Sequence, residues 1–180
     1  MEQILAKRKA DLADRRAILG LVLRVAVLAA VLTLVFTQGF LITQMRGQGM
    51  FPAMKDGDLC VVFRTPAMRL TGQTLSQDDV IAYTHEGQRY FARVVAVAGD
   101  EVEITSSGSV TVNGAAVGGD ILFPTYDDGR QLTYPLQIPD GFVYALGDYR
   151  TQADDSRDHG LIPLDRVDGK VITLLRRRAL

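Results

Sequence analysis

An apolar run occupies 17–42, AILGLVLRVAVLAAVLTLVFTQGFLI, and Arg24 is its only ionisable residue. At a rise of 1.5 Å per residue, about twenty such positions cross the hydrocarbon core of a bilayer, so the run predicts one spanning helix. Arg24 stands near its start, where a long side chain snorkels back to the head groups. Beyond Gln44 the pattern becomes that of strands. Short stretches rich in β-branched and aromatic residues, at 58–63, 80–83, 89–97, 101–104 and 110–112, predict strands, and 132–138, 142–146 and 171–175 continue the series. His85-Glu86-Gly87-Gln88, Ser106-Ser107-Gly108-Ser109 and Asn113-Gly114 supply turns. No long helical periodicity follows the apolar run, and 147–160 reads as one long polar loop. The pattern predicts a mainly β domain behind one N-terminal transmembrane helix.

Composition narrows the classes. The 180 residues suit one domain with an appendage, and a net charge of -1 excludes a globally basic nucleic-acid binder. The single cysteine, Cys60, cannot form an internal disulfide, and no Cys or His cluster has metal-ligand spacing. Neither metal nor cofactor is expected. Cys60 sits in an apolar strand with nothing beside it to lower its pKa, so it reads as a small buried hydrophobe.

Charge is uneven along the chain. Up to Thr43, six basic residues face three acids, whereas from Gln44 onward fourteen face eighteen. Basic residues ahead of an apolar run place the N-terminus in the cytoplasm and the bulk of the chain outside. The run is longer than an ordinary signal-peptide core, and Thr37-Gln38-Gly39-Phe40 offers no small-x-small cleavage site. The expected organisation is a cytoplasmic segment at 1–16, an uncleaved signal anchor at 17–43 and an extracytoplasmic domain at 44–180. The localisation that follows is single-pass in the plasma membrane.

Three motifs carry the chemistry. Gly49-Met50-Phe51-Pro52-Ala53-Met54 followed by Gly57-Asp58 resembles the nucleophile box of type I signal peptidases, Ser-Met-x-Pro-Thr-Leu then Gly-Asp. Ala92-Arg93-Val94-Val95-Ala96-Val97-Ala98-Gly99-Asp100 resembles their lysine box, Lys-Arg-Val-Ile-Gly-Leu-Pro-Gly-Asp. Gly147-Asp148-Tyr149-Arg150 with Ala153, Asp155-Ser156-Arg157 and Gly160-Leu161-Ile162-Pro163 is similar to the third box. All three occur in the family's order behind a matching anchor. The resemblance implies a signal-peptidase-type, barrel-like β domain at the membrane that receives a secreted pre-protein as an extended strand.

It also implies a vacated dyad. Active members use a serine hydroxyl as nucleophile and a neutral, buried lysine as its base. Here the serine position is Gly49, the lysine position is Ala92, and the serine that orients the amine falls on Ala153. The resemblance assigns Met50, Phe51 and Pro52 to the peptide cleft. Asp148, Arg150, Asp155, Ser156 and Arg157 are assigned to a structural loop at its edge, where carboxylate and guanidinium pair. No other residue replaces the dyad. Lys55 reads as a surface charge, His85 and His159 as surface histidines in a turn and a loop, Asp127-Asp128 as a turn, and Arg176-Arg177-Arg178 as a solvated end.

Fold alone does not carry activity, so more than one function stays open. The preferred reading is a non-catalytic binder or chaperone for secreted proteins, resembling the dyad-less signal-peptidase-like proteins of Gram-positive pilus assembly, with pilin subunits as partners. The alternative is an active signal peptidase that cleaves pre-proteins. A third is a regulator that sequesters signal peptides or pairs with an active paralogous signal peptidase.

Overall fold

The computed structural model describes residues 1–118, 121, 123–126 and 132–176, with the backbone alone for 2–14. The dipeptide Asp127-Asp128 and the residues Arg177 and Arg178 lie outside the described residues. The chain divides into two compact units, Met1–Gly39 and Phe40–Leu180.

The first unit is one helix, α1 (Glu2–Gly39). Its stretch Arg15–Gly39 is long and apolar enough to cross a membrane. The hydroxyls of Thr33 and Thr37 donate to the carbonyls of Ala29 and Thr33, both at 2.8 Å, so these polar groups are satisfied within the helix, as an apolar surrounding requires. The expected anchor does not stay helical to Thr43. It breaks at Gly39, and Phe40–Gln44 forms β1, paired antiparallel with β2 (Leu59–Arg64) in the register Phe40↔Phe63 to Gln44↔Leu59. Hydropathy alone does not separate a lipid-facing helix from a half-buried strand. A partner strand decides the matter here.

Among its described residues the second unit holds two sheets. After β2 come a short helix α2 (Thr65–Leu70), β3 (Val80–His85), β4 (Gln88–Val97), β5 (Glu101–Ile104), β6 (Val110–Val112) and β7 (Ala115–Ala116). They are followed by β8 (Leu136–Gln137), β9 (Phe142–Leu146), α3 (Ser156–His159), β10 (Ile162–Pro163) and β11 (Val167–Leu175). The large sheet has the order β1-β2-β11-β3-β4-β9-β10 and the small one β7-β6-β5-β8. Two expectations change in detail. The stretch 132–138 yields only the two-residue β8, and the polar loop 147–160 contains α3, whose first turn is closed by an Asp155 capping box.

The central strands are covered on both faces. Ile81 and Tyr83 pack with Ala92, Val94 and Ala145 on one face, while Ala82 and Phe91 pack with Met45, Met50, Met54, Cys60 and Val62 on the other. This explains why β4 is apolar at consecutive positions rather than alternate ones. Further along β4, a register shift between Val94 and Ala96 turns Val95 and Ala96 into a third cluster with Val102, Tyr144 and Leu146, which joins the small sheet to the large one. The β3–β4 hairpin turns on Glu86 and Gly87, at φ 48° and 80°, with His85 opposite Gln88. Two consecutive positive φ values make the two-residue turn that matches strand twist.

Candidate functional site

The segment after β1 is held on both sides. The Met45 amide continues the ladder by donating to the Asp58 carbonyl at 2.8 Å, and the Gly47 amide donates to Asp56 Oδ1 at 2.8 Å. Met50 and Met54 are fully buried below it. Gly49 thereby faces the loop that follows β9. The Tyr149 amide donates to the Gly49 carbonyl at 2.9 Å, and a Cβ placed on Gly49 would stand 3.3 Å from the Ala153 methyl. A Cβ on Gly147 would overlap that same methyl and approach the Gly49 carbonyl oxygen to 2.6 Å. Gly147, Gly49 and Ala153 are thus packed backbone against backbone. Ala92 is fully buried on β4, opposite Ile81 and in the cluster that includes Ala145. Gly49, Ala92 and Ala153 carry neither a nucleophile nor a base.

The loop 147–160 is held by charge-assisted bonds. Asp148 accepts from Arg93 Nε at 2.9 Å and Nη2 at 2.7 Å. Asp155, fully buried, accepts from the Gly147 amide at 2.9 Å and takes both Nε and Nη2 of Arg157 at 2.9 Å. Arg157 Nη2 also donates to the Arg150 carbonyl at 2.6 Å, and Arg150 donates from Nε to the Gly147 carbonyl at 2.9 Å and from Nη1 to Thr125 Oγ1. Ser156 Oγ accepts from the Ala145 amide at 3.0 Å. Burial pulls the Arg150 guanidinium below its ordinary range against the pull of Asp155. Burial also opposes the charge on Arg157, but the hydrogen bonds and charge of Asp155 outweigh it and hold that guanidinium high. The loop's shape is therefore set by buried ion pairs and by the carbonyls they bind.

Gly49 lines one cavity, and a second is lined by Pro52 and Ala53 just after it in the chain. The first, about 740 Å³, lies between residues 43–49 and 87–91, with Gln152 and Asp154 from the loop. The second, about 670 Å³, is bounded by Pro52, Arg93, Asp148 and Arg150, among others. The Tyr149 ring lies between Phe51 and Phe123, with centroids 6.2 and 4.9 Å away. Of the three expected cleft residues, Met50 is in the core, Phe51 is partly exposed against Tyr149, and Pro52 lines the second cavity. The lining contributed by β1 and the start of β4 was not read from sequence. Residues 40–42 fall inside the apolar run that predicts the spanning helix, and the facing of β1 and β4 across a cleft is a tertiary fact.

His85 and His159 are not the surface histidines expected. Their rings stack at 4.1 Å with planes 14° apart, and Tyr90 stands edge-on to His159 at 4.6 Å. Tyr83 Oη and His159 Nδ1 are 2.9 Å apart. Burial lowers the His159 pKa, and His85 lowers it further. Both rings are half-buried, because the β3–β4 hairpin and α3 converge only in the fold. Lys55 is exposed, whereas Lys170 pairs with Asp79 at 2.5 Å. Burial, with Asp58 adding to it, pushes the Cys60 thiol up to about 11, which leaves it protonated and inert. Among the described residues no group of His, Cys, Asp and Glu has the arrangement of a metal site.

A β domain with a box-like loop packed on a glycine, behind one apolar helix, defines the class to which the motifs pointed. The family model described as "Signal peptidase, peptidase S26" matches residues 16–175, and the chain belongs to that family. Signal peptidase I of Bacillus caldolyticus is 26% identical over 71% of this chain and 74% of its own length. Signal peptidase IB of Staphylococcus aureus strain COL is 29% identical over 87% of this chain and 88% of its own. The crystal structure of a signal peptidase I from Enterococcus faecalis V583 is 26% identical, covers 56% of this chain and 98% of that one, and gives a TM-score of 0.44.

Proposed function

We propose that this chain is a membrane-anchored, non-catalytic member of the signal peptidase I family that binds extended segments of secreted proteins. Pilin subunits of a Gram-positive assembly system are the favoured partners. The observation that carries this reading is the packing of Gly49 against Ala153, with the buried Ala92 on β4, where the family motifs place serine, serine and lysine. Hydrogen and methyl groups neither attack a carbonyl nor take a proton. The Ser156–Ala145 and Asp155–Gly147 bonds support the same reading, because they keep the loop's framework while the reacting groups are missing. Binding then works by strand addition, in which main-chain hydrogen bonds supply affinity and side-chain pockets supply specificity. The apolar helix Arg15–Gly39 is the anchor, and the basic residues before it set the N-terminus on the cytoplasmic side.

The test is cleavage. Losing a catalytic serine or its base typically costs about 10⁶ in turnover. The full chain in lipid vesicles is therefore expected to leave a secretory pre-protein intact under conditions where an active signal peptidase processes it fully. Processing that persists in the purified chain would establish the alternative, a working peptidase with another nucleophile. Deleting the gene is expected to abolish polymerised pili while secreted proteins are still processed.

A further inference from the structure

The cleft beside Gly49 lies between two strand edges that have no strand neighbour among the described residues. β1 stands at the end of the seven-strand order, so one of its edges is open. The β4–β9 ladder begins only at Arg93, so 88–92 has an open edge as well. Both edges contribute residues to the same cavity of about 740 Å³. Arg89 reaches across it, donating from Nη1 to Thr43 Oγ1 at 3.3 Å while its Nε is held by Asp168 at 2.7 Å. A strand entering between β1 and β4 has to open that clasp, and it then meets the guanidinium face to face.

The cleft's side chains select the occupant. Gln44, Gln48, Gln88 and Gln152 line it, and Arg46 is exposed with no ion pair among the described residues. Covering four amides and an unpaired guanidinium with an apolar segment strips their water and returns no hydrogen bonds, which costs free energy at every one of them. An extended segment with hydroxyl, amide and carboxylate side chains returns those bonds. Carboxylate fits guanidinium bidentately. Asp154 is the only acid on the lining among the described residues, and it repels a second carboxylate on the loop side, which leaves acidic positions to the β1 and β4 side. Building on the strand-addition reading above, we propose that this cleft takes a polar, acidic extended segment of a secreted protein instead of the apolar core of a signal peptide, with Arg46 and Arg89 as its recognition cations.

Three fluorescent peptides test it against the full chain in lipid nanodiscs: alternating threonine and glutamate, alternating threonine and lysine, and a leucine–alanine-rich signal-type sequence. The glutamate peptide is expected to bind about tenfold tighter than either of the others, with the margin shrinking as salt is raised. Arg46 is exposed, so Arg46→Glu should leave the fold intact and turn the preference toward the lysine peptide. Arg89→Gln is expected to weaken the glutamate peptide alone. If the signal-type peptide binds as tightly as the glutamate peptide and Arg46→Glu leaves the order unchanged, the acidic preference is wrong and strand addition stands. If none of the three binds, the strand-addition reading fails with it.

Discussion

Two buried residues, Asp155 and Ser156, hold the loop against β9, each through a backbone amide it satisfies. Replacing Ser156 with alanine leaves the Ala145 amide buried without a partner, and such a group costs about 1–3 kcal/mol. Ser156→Ala is expected to lower the unfolding midpoint in urea by that equivalent. Asp155→Ala should cost more, because it also strands the Arg157 guanidinium and opens the α3 cap. Gly49 poses a different residue-scale question. A Cβ there stands 3.3 Å from the Ala153 methyl, tighter than ordinary contact. Gly49→Ser is therefore expected to destabilise by about 1 kcal/mol, in the range of overpacking, and to give no cleavage, since the hydroxyl has no base. Only Gly49→Ser with Ala92→Lys is expected to regain weak processing of a pre-protein, and Ala153→Ser should then raise it by orienting the amine. Band shifts on a gel settle the order of the variants.

At the scale of elements, the contact of α3 with the β3–β4 hairpin carries a pH dependence. His159 faces His85 and Tyr83 from β3 and Tyr90 from β4, with Asp154, Asp155 and Asp158 on its own segment, and Glu86 lies 4.0 Å from His85. Burial and then His85 depress the His159 pKa below its ordinary 6.5, while the aspartates pull the other way. A depressed pKa means that the unfolded chain takes up its proton first. Stability is therefore unaffected by this group well above pH 6.5, falls as pH drops through that value, and levels off below the folded pKa. Urea unfolding between pH 8 and 5 is expected to show that loss, and His159→Gln should flatten it. A profile unchanged by His159→Gln would remove the stacked pair as its source. NMR titration of the two imidazoles gives the direct reading, with His159 protonating below a free histidine.

For the whole molecule, the proposed orientation has a direct consequence. Lys7, Arg8, Lys9, Arg15 and Arg16 precede the apolar stretch, and Arg46 and Lys55 are the only bases that follow it before Arg64. Protease added to intact protoplasts is expected to remove an epitope tag at the C-terminus and spare one at the N-terminus. The opposite pattern would reverse the topology, and with it any access of the cleft to secreted partners. On the proposed reading, a membrane anchor suits a partner that is itself emerging from the membrane, since tethering raises the effective concentration of one for the other.

Much was legible because it rests on local physics. The apolar run, the strands at 80–83, 89–97, 101–104, 110–112 and 142–146, and the Glu86-Gly87 and Asn113-Gly114 turns follow from side-chain period and from which residues tolerate positive φ. The three boxes also had to be read as strings, and with them the absence of a hydroxyl at Gly49 and of an amine at Ala92. Only the tertiary structure could decide the rest. Phe40–Gln44 is a strand because β2 is there to pair with it, since residues 40–42 equally satisfy the hydropathy of the spanning helix. Arg89 became a clasp because β1 and β4 face each other, and His85 met His159 because a hairpin and a short helix converge. Contacts between positions far apart in the chain leave no local period, so no window along the sequence contains them.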